Sequence, residues 1–377
     1  MALDPTELLK TIEEQKKRLV TTSLDLSFNE LVDMIDTKEL NIQPDFQRLF
    51  QWSPATQSRF IESLLLEMPI PPIYVIESEE NKYLLIDGLQ RISSYLHFRG
   101  RLDAPNNDVN LGDMLKLCDC DIIPAFNGLK FDELPTSLQI RLKRYFVRVE
   151  VVRHGSDPQY QYYMFKRLNT GGVSLSEQQI RNCTVRLLNP QFNDFIAGLS
   201  ENVDYMKTTE FLTQEQRKSW YDQELVLRFF AFKNDMDSYV HEIGDFLTEY
   251  MERVSDINAQ NHLAFEYEEE KAIFEKTFKI FAATLGERAF SRLGAKGTEL
   301  SESFGIYHFE SLTLGIQSIL EKLNPLDSDQ MTRISTAMME LKRDPEFIGM
   351  TKGGGKNSIG LLKNRVQFAR TKLEQAV

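Results

Sequence analysis

Cysteine is scarce in this chain of 377 residues. The three present, Cys118, Cys120 and Cys183, are too few for a disulfide framework, and the one Cys-x-Cys pair has no second pair or neighbouring histidine to complete a zinc site. Long apolar runs are missing too. No stretch approaches the roughly 18 to 20 uninterrupted apolar residues that span a bilayer, and the first twenty residues carry charges every few positions where a secretory leader would be apolar. A cytoplasmic protein with no membrane partner is the expectation. Positive charge is in deficit, with 44 Lys and Arg against 56 Asp and Glu for a net charge of -12, which argues against wholesale wrapping of nucleic acid. Familiar catalytic signatures are absent as well. His97, His154, His241, His262 and His308 are scattered without metal-ligand spacing, and there is no Gly-x-Ser-x-Gly elbow or His-Glu-x-x-His helix. The run Lys352-Gly353-Gly354-Gly355-Lys356-Asn357-Ser358 is not a Walker loop, because that spacing requires glycine where Met350 stands and Ser or Thr where Asn357 stands.

What is present suffices for two or three globular domains: 42% hydrophobic and 11% aromatic residues. Residues 5–20 read as an amphipathic helix with Leu8, Leu9, Ile12 and Leu19 as its stripe, an N-terminal docking segment within residues 1–22. Leu24 and Leu26 alternate with polar neighbours as a strand, and Ser27-x-x-Glu30 is a capping box opening a helix to about Thr37. An extended stretch from Ile42 to Trp52 leads into Ser53-Pro54, an N-cap followed by proline, and a helix carrying Phe60, Ile61, Leu64 and Leu65. Met68-Pro69-Ile70-Pro71-Pro72 must leave that helix. Strands over Ile73 to Glu77 and Tyr83 to Ile86 follow, the second running into Asp87-Gly88 and then a helix with Ile92, Tyr95 and Leu96. Residues 100–130 show no clear element. A helix over Pro135 to Tyr145, a strand over Phe146 to Val152 and a helix from Asp157-Pro158 to Asn169-Thr170-Gly171-Gly172 complete a region at 23–173. From Ser174 the strand signals fade and helical periodicity dominates to about residue 343. Val226, Leu227, Phe229 and Phe230, then Ile273, Phe274, Phe278 and Phe281, form apolar helix faces of a helical region at 174–377. The fold class is therefore α+β.

Three polar clusters stand out. In Asp87-Gly88-Leu89-Gln90-Arg91 a strand ends in a carboxylate, glycine permits close backbone approach, and a helix N-terminus offers unpaired amides. Arg91 in the first turn suits phosphate oxygens, Asp87 a divalent cation, and Gln90 a water. Asp-Gly is also a common turn, and the arginine equally suits an ion pair with the aspartate. Gln47-Arg48 is the second cluster, with a salt bridge for Arg48 and a core anchor in Trp52 as the plainer alternative. The third is Arg167, Asn169, Gly171 and Gly172, which also suits a simple helix stop. A basic C-terminal stretch containing Lys352, Lys356, Lys363, Arg365, Arg370 and Lys372 offers phosphate or DNA contacts through Lys352, Lys356 and Arg365, against a solvated helix face as the alternative.

The joint order of these pieces is specific. IQPDFQRLFQWSPATQSRFIESLLLEMPIPPIYVIESEENKYLLIDGLQRISSYLHF closely resembles the family defined by an Asp-Gly-Gln-Gln-Arg signature in the N-terminal domain of GmrSD-type, modification-dependent restriction proteins. The likeness continues through FKRLNTGGVSLSEQQIRN and, more loosely, YDQELVLRFFAF. It implies a ParB and sulfiredoxin-like α/β fold followed by a helical region, and a nucleoside triphosphate hydrolase using a divalent ion such as Mg²⁺, coupled to DNA cleavage in defence against phage. On that resemblance Asp87, Gln90 and Arg91 are catalytic, Asp87 is the metal ligand, and Gln47, Arg48, Gly88, Arg91, Arg167 and Asn169 handle nucleotide. Leu89 replaces the signature's glutamine, which leaves open a nucleotide-gated switch without turnover. The family's C-terminal His-Asn-His nuclease is not recognisable before Val377, so DNA cleavage falls to a separate nuclease subunit, or to the ParB-like fold acting as a metal-dependent nuclease. A homo-oligomer is one option for its assembly, and the sequence leaves open whether the helical half makes dimers.

Overall fold

The computed structural model describes residues 5–16, 20–42, 50, 52–104, 108–154, 156, 164, 167–168, 176–186, 188–240, 242–294, 299–353 and 358–377. The chain divides into two compact units, Met1–Ser174 and Leu175–Val377.

The first unit is built on a five-stranded mixed sheet. Its elements are α1 (Pro5–Lys16), β1 (Thr21–Ser27), α2 (Phe28–Asp36), β2 (Leu40–Asn41), α3 (Pro54–Leu65), β3 (Ile73–Glu79), β4 (Lys82–Asp87), α4 (Leu89–Phe98), α5 (Thr136–Arg144) and β5 (Phe146–Val152). The sheet order is β1-β5-β3-β4-β2, with β1 antiparallel to β5, β3 antiparallel to β4, and β3 parallel to β5. Register follows the alternation of the sequence. Leu24 pairs with Val149 and Leu26 with Val147, putting apolar side chains on one face, where Leu31 and Met34 of α2 join them around a shallow apolar cleft. The intervening residues form a polar ladder on the opposite face, in which the Ser23 hydroxyl donates to Glu150 at 2.6 Å and Arg148 pairs with Glu150 at 2.9 Å.

Helix starts follow the cap residues. The Ser27 hydroxyl accepts the Glu30 amide at 3.1 Å, and Ser53 accepts the Thr56 amide at 3.3 Å with Pro54 in the first turn. Phe28 of α2 stacks on Tyr95 of α4 with centroids 4.7 Å apart and meets Phe60 of α3 edge-on at 6.3 Å. One aromatic cluster thus locks α2 and α3 to α4, the helix whose N-terminus carries the signature turn. The helix expected over residues 5–20 is described over Pro5–Lys16, where Leu8, Leu9 and Ile12 are exposed, and Leu19 lies outside the described residues. The segment from Asp157 to Gly172 lies largely outside the described residues.

The second unit is helical: α6 (Glu177–Val185), α7 (Pro190–Ser200), α8 (Val203–Thr208), α9 (Gln214–Lys218), α10 (Tyr221–Asp235), α11 (Ile243–Ser255), α12 (Tyr267–Thr284), then α13 (Ile306–Gly315), α14 (Ser328–Arg343), α15 (Pro345–Thr351) and α16 (Ile359–Glu374). Phe229, Phe230, Phe274, Phe278 and Phe281 are fully buried in its core, with Phe274 and Phe278 centroids 4.4 Å apart. The expected fading of strands is corrected by one hairpin, β6 (Ser291–Leu293) paired with β7 (Leu300–Phe304). Strands of three and five residues are too short to impose a period of two on the surrounding helical pattern.

Candidate functional site

Strand β4 delivers Asp87 to its C-terminal end, and Gly88 turns the chain with φ +110° to begin α4. The N-cap residue Gly88 has no side chain to cap that helix, and a helix N-terminus is a common setting for an anion. The glycine is required twice over. The left-handed φ disfavours other residues, and a Cβ here would lie 2.9 Å from Cγ1 of Ile73. The turn is therefore packed against the entry to β3.

Arg91 reinforces the same contact. Its guanidinium is buried and donates to the carbonyl oxygens of Pro71 (3.0 Å) and Pro72 (3.2 Å) and to Oδ2 of Asp87 (2.7 Å). Both the ion-pair reading and the signature position thus apply to Arg91, which orients Asp87 while tying α4 to the Pro-Pro segment. The Asp87 side chain keeps 39% of its surface exposed, the one carboxylate of the turn open to a ligand. Gln90 reaches the other way, its Oε1 accepting the backbone N–H of Trp52 at 3.1 Å. Leu89 is buried, as an apolar side chain should be, and contributes no hydrogen bond.

Sequence reasoning missed the supports around this turn. Gln57 of α3 donates from Nε2 to the Trp52 carbonyl at 2.7 Å, and its Oε1 faces Nδ1 of His97 at 2.8 Å. Burial pushes the His97 pKa down, so the ring is neutral near pH 7. The available signal was spacing: Gln57 sits one turn into a helix whose start was clear, and Gln90 and His97 are two turns apart on one face of α4. The Pro71 and Pro72 carbonyls, lying just before the strand, were acceptors awaiting a donor.

Other expected site residues are placed less closely. Gln47, Arg48, Asn169 and Lys356 lie outside the described residues; Arg167 is exposed, as is Lys352. Arg365 is corrected. It is not a surface contact for phosphate but is 1% exposed, ion-paired with Glu310 and 4.6 Å above the Tyr307 ring. Its neighbours on α16 are engaged too, Lys363 with Asp237 at 2.6 Å and Lys372 with Asp344 at 3.1 Å.

Among the described residues no three His, Cys, Asp or Glu side chains gather as a metal cage. A lone carboxylate such as Asp87 fits instead a Mg²⁺ held mostly by phosphate oxygens and water. The Cys120 thiol is buried and pushed up to about 11, chiefly by desolvation, as befits a structural cysteine. No described helix is long and apolar enough to cross a membrane.

Residues 28–186 match the family described as GmrSD restriction endonuclease, N-terminal domain. No curated protein and no solved structure matches the chain.

Proposed function

We propose that this chain, whose residues 28–186 form a GmrSD-type N-terminal domain, is a nucleoside triphosphate-binding component of a restriction-like, anti-phage system. The first unit is read as ParB/sulfiredoxin-like, with its ligand at the Asp87 to Arg91 turn. The observation that carries the reading is the turn itself: a left-handed glycine before an uncapped helix N-terminus, flanked by a half-open carboxylate. The amides and the helix dipole attract phosphate oxygens, Gly88 lets the ligand approach the backbone, and Asp87 supports the ligand's divalent ion. Gln47, Arg48 and Asn169 are read as completing the pocket.

The test is phosphate release from GTP and the other nucleoside triphosphates in Mg²⁺, with Asp87→Asn alongside wild type. Turnover is expected to collapse in the variant; equal rates would sink the site. A second reading, a nucleotide-gated switch without turnover, is favoured by two observations. Leu89 is buried and apolar, and the Gln90 carbonyl oxygen is already committed to Trp52, which removes the obvious groups for orienting an attacking water. Calorimetric binding without phosphate release selects this reading.

A further inference from the structure

Strand β1 is one edge of the five-stranded sheet; the other edge, β2, is only two residues long. In the ladder that joins β1 to β5, the Val20 carbonyl accepts the Arg153 N–H at 2.8 Å and the Phe28 N–H donates to the Tyr145 carbonyl at 3.1 Å. Alternate residues of an antiparallel strand bond to a given neighbour, so Thr22, Leu24 and Leu26 are the ones that bond inward. Thr21, Ser23, Asp25 and Ser27 turn their backbone N–H and C=O groups outward, where no described residue bonds them. Thr21, Ser23 and Asp25 are exposed. Strand edges of this length are ordinarily guarded by proline, lysine, a bulge or a covering element. Among the described residues β1 has no such guard: its sequence is TTSLDLS, its register against β5 is unbroken, and its single charge, Asp25, lies 3.8 Å from Arg148 of its own sheet.

An unguarded edge accepts another strand, and this one is complementary to itself. Its outward residues are symmetric about Leu24. In an antiparallel pair of two copies centred there, Ser23 of each lies opposite Asp25 of the other and Thr21 opposite Ser27, so every outward group along the strand gains a partner. No like charges face each other, whereas a pair centred on Asp25 would oppose two carboxylates. On the other face Leu24 meets Leu24, and the half-buried Leu26 meets Thr22. We propose that β1 is a self-association surface, through which two copies of this chain join their sheets edge to edge about a two-fold axis at Leu24. The same axis carries α1 of each copy, which leads into β1, past Ser27 towards α2 of the other. There the cleft bordered by Leu24, Leu26, Leu31 and Met34 presents apolar surface to Leu8, Leu9 and Ile12, which are 47%, 63% and 45% exposed in the single chain. The surface lies wholly in the first unit and is independent of the ligand read at the Asp87 turn.

The test is sedimentation velocity of the full chain over a concentration series, with Ser23→Pro and Leu24→Cys alongside wild type. Wild type is expected to sediment as a dimer. Ser23→Pro deletes an outward N–H and leaves the inward bonds to β5 in place, and proline is tolerated on an edge strand. Two hydrogen bonds between the copies are lost with it, so the dimer is expected to dissociate roughly tenfold more readily or worse. Leu24→Cys sets two thiols opposite one another at a non-hydrogen-bonded position, where the Cα atoms of an antiparallel pair approach to about 4.5 Å. Under mild oxidation it is expected to give a covalent dimer that wild type and Asp25→Cys do not. This variant reads the surface even where Ser23→Pro fails to fold. Wild type that stays monomeric at every concentration overturns the proposal, including a monomer whose own α1 closes over the cleft. A dimer that persists undiminished in folded Ser23→Pro, or that Leu24→Cys does not cross-link, overturns it as well, because either result places the interface elsewhere.

Discussion

Arg91 bonds Asp87 at 2.7 Å one helical turn back, and with the same guanidinium it holds the carbonyls of Pro71 and Pro72. A residue at a signature position is thus also a structural clamp. Arg91→Ala leaves two carbonyls and a carboxylate without their donor, and is expected to destabilise the ligand-free protein by about 2–4 kcal/mol. Asp87 is too exposed for its charge pairing to contribute much of that. Denaturant unfolding without nucleotide checks it. An arginine used only for ligand would leave the midpoint unchanged.

Gly88→Ala is expected to destabilise by about 1–3 kcal/mol, since it forces a side chain into a left-handed backbone and against Ile73. Truncating Ile73 to alanine removes the clashing Cγ1 and Cγ2 but not the backbone term. Gly88→Ala should therefore cost less in an Ile73→Ala background than in wild type, yet still destabilise, as read from double-mutant thermal unfolding.

These two residues also mark how far the sequence could be read. Local rules served well where the cause was local: Ser27 and Ser53 cap their helices, Gly88 turns the strand into α4, and Phe274 and Phe278 lie on a buried face. The partners of Arg91 lie 19 and 20 residues upstream, and nothing in the chain's periodicity announces them. Arg365 was misread for the same reason. Within its own segment it belongs to a basic run that looks solvated, yet its carboxylate partner is 55 residues earlier on α13. The hydrogen-bonded path from Gln90 through Trp52 and Gln57 to His97 joins two segments far apart in sequence, and so became visible only once α3 and α4 were placed together.

Glu310 carries the heaviest consequence in the helical unit. It is buried and bridges Arg228, at 2.9 Å, to Arg365. Glu310→Ala takes the shared buried carboxylate from both guanidinium groups, leaving Arg228 with Glu224 at 3.1 Å, and a loss of about 3–5 kcal/mol is expected. Urea unfolding followed by the fluorescence of Trp220, which sits at the start of α10, measures it. A loss under about 1 kcal/mol would mean that the arginines are satisfied by other groups.

Lys342 is buried on α14 with its ammonium donating to the carbonyls of Ala289 at 2.8 Å and Ser291 at 2.7 Å. Desolvation pushes its pKa down from 10.5 to about 7. The sign follows from proton counting. Between these two values the unfolded chain binds the proton and the folded chain does not, so this group's contribution to stability rises with pH across that window and is flat below it. His308, facing Lys342 and Arg292, is itself pushed well below its usual range, chiefly by burial, and adds no slope above about pH 7.5 because both its states are neutral there. Lys342→Met removes the slope along with the two hydrogen bonds, whose loss is independent of pH. Stability relative to this variant is therefore expected to climb from pH 7 to pH 10, by no more than about 1.4 kcal/mol per pH unit for a single proton. Chemical denaturation of both proteins across that range reads the difference directly, and parallel curves would place the Lys342 proton on the folded chain throughout.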